Sequence, residues 1–177
     1  MNVLEIVSGA EVNGAVVHCL LLSQELARRG QQVTILCRRG AWIAGKLAGS
    51  SIRVVESDMR RLPIGDLLEG SRLIREMRID VIHTHMTRAH NFGIWLKLVT
   101  GTPCVATAHS HIVHPHWWMA DRVIAVAEAT RRYHRTHNLL PASRIVTVHG
   151  FVDVERADSA AVIGQDDARM RFGLPVG

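Results

Sequence analysis

A chain of 177 residues, 47% of them hydrophobic, fits one domain with enough apolar surface for a substantial core, which excludes global disorder. Its longest apolar run, "AVVHCLLLS", is short and interrupted by His18, so no stretch spans a bilayer, and the opening "MNVLEIVSG" has no basic leader and reads as a first strand. The net charge of +5, from 21 Lys+Arg against 16 Asp+Glu, favours a phosphorylated ligand or an acidic membrane surface, while the absence of basic–aromatic interleaving argues against nucleic acid.

From the first strand, "VLEIV" (3–7), the chain alternates short β-branched runs with longer amphipathic stretches. The loop "SGAEVNG" (8–14) leads to a predicted helix over 15–29, with Val16, Cys19, Leu20, Leu22 and Leu26 mostly on one side and Gly30 as its C-terminal stop. Strands over 32–37 and 52–56 follow, then a helix over 66–78 with Asp66 as candidate N-cap. "DVIHTH" (80–85) is the fourth strand, and a helix over 88–100 ends at Gly101 before Pro103. "PCVATAH" (103–109) and "RVIAVA" (122–127) are strands, 128–138 is a polar surface helix, and "RIVTVH" (144–149) is the last strand. Most strands are apolar on both faces, as buried parallel strands are, so the alternation predicts a doubly wound Rossmann-type α/β sheet of about seven parallel strands. A polar, alanine-rich stretch follows residue 153, then "DDARMRFGLPVG" (166–177), a short helical piece closed by Gly173 and Pro175. The expected organisation is therefore one domain over 1–153, with 154–177 as a linker and the start of a further domain.

The cysteines, Cys19, Cys37 and Cys104, are odd in number, widely spaced and set in apolar runs. That pattern suggests neither disulfides nor a thiolate zinc site, and points to the reducing cytosol.

In an open parallel sheet, ligands collect at the carboxyl ends of the strands. Two places there carry candidate chemistry. In "SGAEVNG", Gly14 just before a helix permits close backbone approach to a phosphate, although the spacing is not that of a dinucleotide fingerprint and a simple turn would use the same glycine. In "HSHIVHPHWW" (109–118), His109 ends a strand at the same crevice, where a histidine could orient a hydroxyl or accept a proton; the alternative is a loop histidine bonded to nearby backbone. The neighbouring His111, His114 and His116 raise the question of zinc, but no acidic residue lies between 109 and 120 and no His-Glu-x-x-His occurs, so no metal is expected. His83 and His85 share a strand face. Of Trp117 and Trp118 at least one should be buried. Arg60 and Arg61, after the third strand, are the best candidates among the basic pairs for an anionic acceptor, with His85 as a further acceptor-side candidate.

These residues carry a family likeness. "EVNGAVVHCLLLSQELARRGQQVTILC", "IDVIHTHMTRAHNFGIWLKLVTGTPCVATAHS" and "ADRVIAVAEATRRYHRTHNLLPASRIVTVHGFVD" resemble, in order and spacing, the first half of the group 1 (family 4) retaining glycosyltransferases. "RMRFGLP" is similar to the segment that introduces that family's second domain. The resemblance implies the GT-B fold, two Rossmann-like domains facing a cleft, with acceptor mostly in the first and nucleotide-sugar donor mostly in the second. It implies that Asn13 and Gly14 lie in the loop approaching the donor diphosphate, that His109 is the active-site histidine, and that no metal or other cofactor is required. This sequence departs from the family in Ala127, where a serine is usual, and His149, where an asparagine is usual. It also lacks the E-x₇-E carboxylates of the donor domain.

The resulting expectation is the acceptor-side half of a transferase that moves a sugar, with retention, from a nucleoside-diphosphate donor to a sugar or lipid-linked hydroxyl acceptor. The half alone would be inactive, its missing partner being a C-terminal Rossmann-like domain. The expected location is cytoplasmic, with peripheral contact at the inner face of an acidic membrane. The alternatives are a nucleotide-sugar epimerase of the same fold and a non-catalytic module binding an anionic ligand.

Overall fold

The computed structural model describes residues 1–59, 64–151, 164–173 and 175. Seven strands form one sheet: β1 (Asn2–Val7), β2 (Gln32–Arg38), β3 (Arg53–Ser57), β4 (Val81–His85), β5 (Cys104–Ala108), β6 (Arg122–Ala125) and β7 (Ile145–Thr147). Every neighbouring pair is parallel, in the order β3-β2-β1-β4-β5-β6-β7. The expected doubly wound α/β fold is therefore the fold observed. Chain order reverses between β1 and β4, and the crevice outside their carboxyl ends is where such sheets bind ligands.

Side chains alternate across each strand, so the sheet feeds two cores. Leu4, Ile6, Leu36, Ile82 and Val123 pack on one face with Phe92 and Leu96. Val7, Ile35 and Cys37 pack on the other with Val16, Cys19 and Ile43. All three cysteines are buried and free, as small hydrophobes.

Helices cover both faces: α1 (Gly14–Arg28), α2 (Trp42–Leu47), α3 (Ile64–Glu76), α4 (Thr87–Thr100), α5 (His116–Met119) and α6 (Glu128–His137), with α7 (Gln165–Arg171) beyond the sheet. The stop expected at Gly30 is a Schellman cap: Gly30 takes φ +78° and donates to Ala27 O, while Gln31 donates to Leu26 O. Helix α4 lies so close on the sheet that a Cβ at Gly93 would collide with the Thr84 methyl and press on Ile82 and Cys104. Among the described residues no helix is long and apolar enough to cross a membrane.

Three local expectations are corrected. Helix α3 begins at Ile64, so Asp66 sits in its first turn and is not the N-cap. The short helices α2 and α5 were not legible; α2 is six residues long and is held by burial of Ile43 and Leu47, not by periodicity. Helix α6 is not only a surface helix, because it buries Thr130 and His134 beneath its charged exterior.

Candidate active site

Strands β1, β4 and β5 lie side by side, with Glu5 opposite His83, Val7 opposite His85, and His85 opposite Thr107. This register gathers one acid and three imidazoles beneath the crevice. Glu5 is fully buried. Its Oε1 lies 3.1 Å from His83 Nδ1 and its Oε2 2.8 Å from His85 Nε2. The other nitrogen of His83 meets the Thr107 hydroxyl at 2.7 Å, and His85 Nδ1 meets His109 Nε2 at 3.2 Å. His18, from α1, closes the cluster, its ring centre 4.9 Å from that of His109 and 4.7 Å from that of Phe151.

Burial sets the charge of these groups. It would by itself raise the Glu5 pKa, but the electrostatic pull of His83 and the hydrogen bonds from both imidazoles hold it down at about 2. Burial, reinforced by the neighbouring histidines, lowers His109 to about 3 and His18 to about 4, and also lowers fully buried His85. At neutral pH the cluster thus holds a carboxylate below and uncharged imidazoles at the crevice. Ring nitrogens of His18, His85 and His109 lie within 4.8 Å of one another, as do ligand atoms of Glu5, Cys19 and His85, so either set is close enough to hold a metal ion.

His109 lies just beyond β5, half-buried, in the wall of a cavity of about 370 Å³ shared with Ser8, Ala15, Arg88, Ser110 and Trp117. Met86, where β4 turns into α4 at this mouth, takes φ +75°, an uncommon conformation for a residue with a side chain, of the kind that gathers at functional sites. Asn13 caps α1: its Oδ1 accepts from the backbone N–H groups of Ala15 at 3.0 Å and Val16 at 3.1 Å. Asn13 and Gly14 are both exposed, and a Cβ at Gly14 would meet nothing within 4 Å, so the space beside this glycine is open. The cap already uses two of the amides that a phosphate would seek.

The remaining loop histidines do other work. Helix α6 staples the loop: buried His134 Nε2 lies 3.0 Å from Ser110 O, Asn138 Nδ2 donates to Ile112 O, and Asn138 Oδ1 accepts from the His114 backbone. Trp117 is buried and donates to Ile112 O, while Trp118 is 46% exposed and donates to Asn138 O, so one of the two tryptophans is buried as expected. His111 stacks on Tyr133, and His114 on buried His116.

The structure thus places His109 in the cavity wall and Asn13 and Gly14, exposed, at the start of α1 next to Ala15 of the same wall. It corrects the acceptor role expected of His85, which is fully buried under His109 with no surface to offer an acceptor. Arg60 and Arg61 lie outside the described residues. Sequence reasoning missed Glu5, His18, Arg88, His134 and Asn138. The lone acid in an otherwise apolar β1 was the signal for Glu5, since a buried strand tolerates a carboxylate only with partners.

The sequence profile of Glycosyltransferase Family 4 matches residues 12–156. No curated protein sequence matches the chain. Among solved structures, a glycosyltransferase from Rickettsia africae superposes with a TM-score of 0.74 at 16% identity, over 99% of this chain and 50% of that one. Anabaena HepE, solved with UDP-glucose, gives 0.73 at 15% identity over 98% and 50%. A UDP-GlcNAc 2-epimerase from Neisseria meningitidis bound to UDP-GlcNAc gives 0.68 at 10% over 97% and 54%. Identities this low establish a common fold alone, and the chain spans about half the length of these neighbours.

Proposed function

The chain belongs to glycosyltransferase family 4, and on that premise we propose that it is the acceptor-side half of a retaining sugar transferase. The donor is a nucleoside-diphosphate sugar, and the acceptor is a hydroxyl of a sugar or lipid-linked sugar. The observation that carries this reading is His109, an uncharged imidazole just beyond β5 that lines the cavity, with the exposed Gly14 turn at the start of α1 beside Ala15 of the same wall. The departing diphosphate needs positive potential, and the transferred sugar needs hydrogen-bond partners that hold its hydroxyls without repelling its developing positive charge. An amide turn and a neutral histidine suit those two tasks. Arg88, in the same cavity wall, supplies a fixed positive charge for an anionic substrate group.

The other half of the cleft, holding the donor's nucleotide, belongs in this reading to a second Rossmann-like domain. The solved neighbours are twice as long as this chain, which supports that division. In this reading the reaction uses no metal, and the nitrogens of His83 and His85 that face Glu5, with the His85–His109 pair, serve one another.

Helix α4 presents exposed Trp95, Leu98 and Val99 at helical spacing. An apolar ridge on a chain of net charge +5 fits peripheral contact with an acidic membrane and a lipid-linked acceptor, on the cytoplasmic side.

The test is a transfer assay of the full-length parent protein against a panel of nucleoside-diphosphate sugars and hydroxyl acceptors, with product configuration read by NMR. Transfer with retained configuration by the parent and none by the 177-residue chain is the expected result. Epimerised donor without transfer would assign the parent to the epimerases. Tight donor binding without turnover would make the chain a binding module, and turnover by the chain alone would remove the need for a second domain.

A further inference from the structure

Glu5 has no surface, no contact with the crevice and no place in the reaction as described, yet it is a carboxylate in the middle of the sheet. Burying such a charge is costly, and an apolar residue of similar size commonly gives equal or better stability. Its two oxygens are both committed, to His83 and to His85, and His85 is in turn committed to His109. We propose that Glu5 is a positioning residue: through His85 it sets where the proton sits on His109, so that His109 Nε2–H points inward and its Nδ1 lone pair is the atom offered to the crevice. The inference rests on the reading of His109 as the histidine of the active site.

With Glu5 ionised and His85 and His109 uncharged, the states that burial and their mutual contacts favour, the proton order follows from donor and acceptor capacity. An ionised carboxylate can only accept, so the 2.8 Å contact places a proton on His85 Nε2. A neutral imidazole carries one proton, which leaves His85 Nδ1 bare. The atom 3.2 Å away, His109 Nε2, must then be the donor. His109 is likewise neutral, so its Nδ1 is bare. Among the described residues no hydrogen bond reaches that atom, and it is not among the enclosed unpaired nitrogens, so it is open to the crevice. His83 holds the second oxygen by its Nδ1–H, and the Thr107 hydroxyl serves its other nitrogen as either donor or acceptor. Glu5 therefore cannot turn without losing a partner.

The consequence is chemical. With its lone pair outward, His109 accepts a hydrogen bond from a substrate hydroxyl and cannot donate one to a phosphate oxygen. With the opposite order, Nδ1–H would face the crevice and the preference would invert. A metal ion between His85 Nδ1 and His109 Nε2 would take the place of the shared proton, so the two arrangements exclude each other at these atoms.

The experiment is long-range ¹⁵N–¹H NMR of the ¹⁵N-labelled chain near pH 7, which reports the protonated nitrogen of each imidazole. The expected spectrum shows Nε2–H at both His85 and His109, with a scalar coupling across the hydrogen bond between His109 Nε2 and His85 Nδ1. Glu5→Gln keeps the shape but offers one acceptor to two donors, and Glu5→Met removes both acceptors; in each, His109 should populate both tautomers. In the full-length parent, Glu5→Gln should lower kcat about tenfold or more while donor KM changes by less than about threefold, a split that loss of ground-state donor binding would not give. Nδ1–H on His109, a metal-shifted His85–His109 pair in protein prepared with zinc, or an unchanged His109 tautomer in both variants would each overturn the proposal. If a variant does not fold, the unsubstituted spectrum decides the question. Failure of the parent to transfer sugar would sink the functional reading while leaving the tautomer result standing.

Discussion

Replacing His116 by phenylalanine should stabilise this protein, and by more as the pH falls. The ring is 2% exposed, and among the described residues neither of its nitrogens has a hydrogen-bond partner. It packs against His114 at 4.2 Å, Trp117 at 4.3 Å and His90 at 4.9 Å between ring centres, all contacts that a phenyl ring keeps. Leaving a buried polar group unpaired costs about 1–3 kcal/mol, so the variant should gain on the order of 1–2 kcal/mol at pH 7. Burial, then His114 and His134, lower the His116 pKa from 6.5 to about 3. The unfolded chain therefore takes up a proton near pH 6.5 that the folded chain refuses until about pH 3. Stability from this group is complete above pH 6.5 and falls as the pH drops toward 3, by about 1.4 kcal/mol per unit. Between pH 7 and 5.5 the parent should thus lose about 1.3 kcal/mol that His116→Phe does not. Urea unfolding of both proteins at pH 7.0, 6.0 and 5.5 measures the difference. A gap that does not widen with acid would show that the ring is not held neutral, and a less stable variant at pH 7 would show that the two nitrogens have partners.

In the full-length parent, His109→Ala should cut kcat/KM by a factor on the order of 10²–10⁴ with the thermal midpoint nearly kept, whereas His114→Ala should cost much less. Ala127 is the N-cap of α6 and makes no side-chain capping bond. Ala127→Ser should therefore raise stability by about 1 kcal/mol, read as a higher thermal midpoint, and no rise would mean the α6 amides are already satisfied. Chelation should leave the midpoint of the purified chain unchanged; a fall of many degrees with one metal titrating per chain would establish a structural metal.

The fold was legible because each element states its own period. The buried strands read as apolar on both faces, and helices α1 and α4 end on Gly30 and Gly101, each with φ above +70°. Helix α2 has six residues and α5 four, fewer than two turns, so neither repeats an apolar position often enough to show. At the site, His109 was readable because it ends a strand, and strand ends are local. Glu5 and His83 were not, because they are 78 residues apart and meet only through the register of β1 with β4. The role of α6 was misjudged for a related reason: its charged sequence describes the solvent side, whereas His134 and Asn138 bond a loop 24–26 residues earlier.

If the chain is half of a GT-B transferase, as proposed, the charges at this crevice imply a division of labour between the two halves. His109 and His18 remain uncharged at neutral pH, so neither can neutralise a diphosphate. The amides at the start of α1 are only partly available, since Asn13 Oδ1 already holds those of Ala15 and Val16, and Gly14 N–H is left without a partner among the described residues. Arg88 contributes one cation to the cavity wall. Against a leaving group carrying two or more negative charges, one amide and one guanidinium leave most of the compensation unsupplied. A neutral histidine above a buried carboxylate is poorly suited to holding phosphate and well suited to holding a sugar that becomes electron-poor, because it presents lone-pair density with no repelling proton charge. On this reading, the compensation for the diphosphate has to come from across the cleft. That accounts for a domain that completes its core and orders its loop by itself while leaving its crevice chemically one-sided.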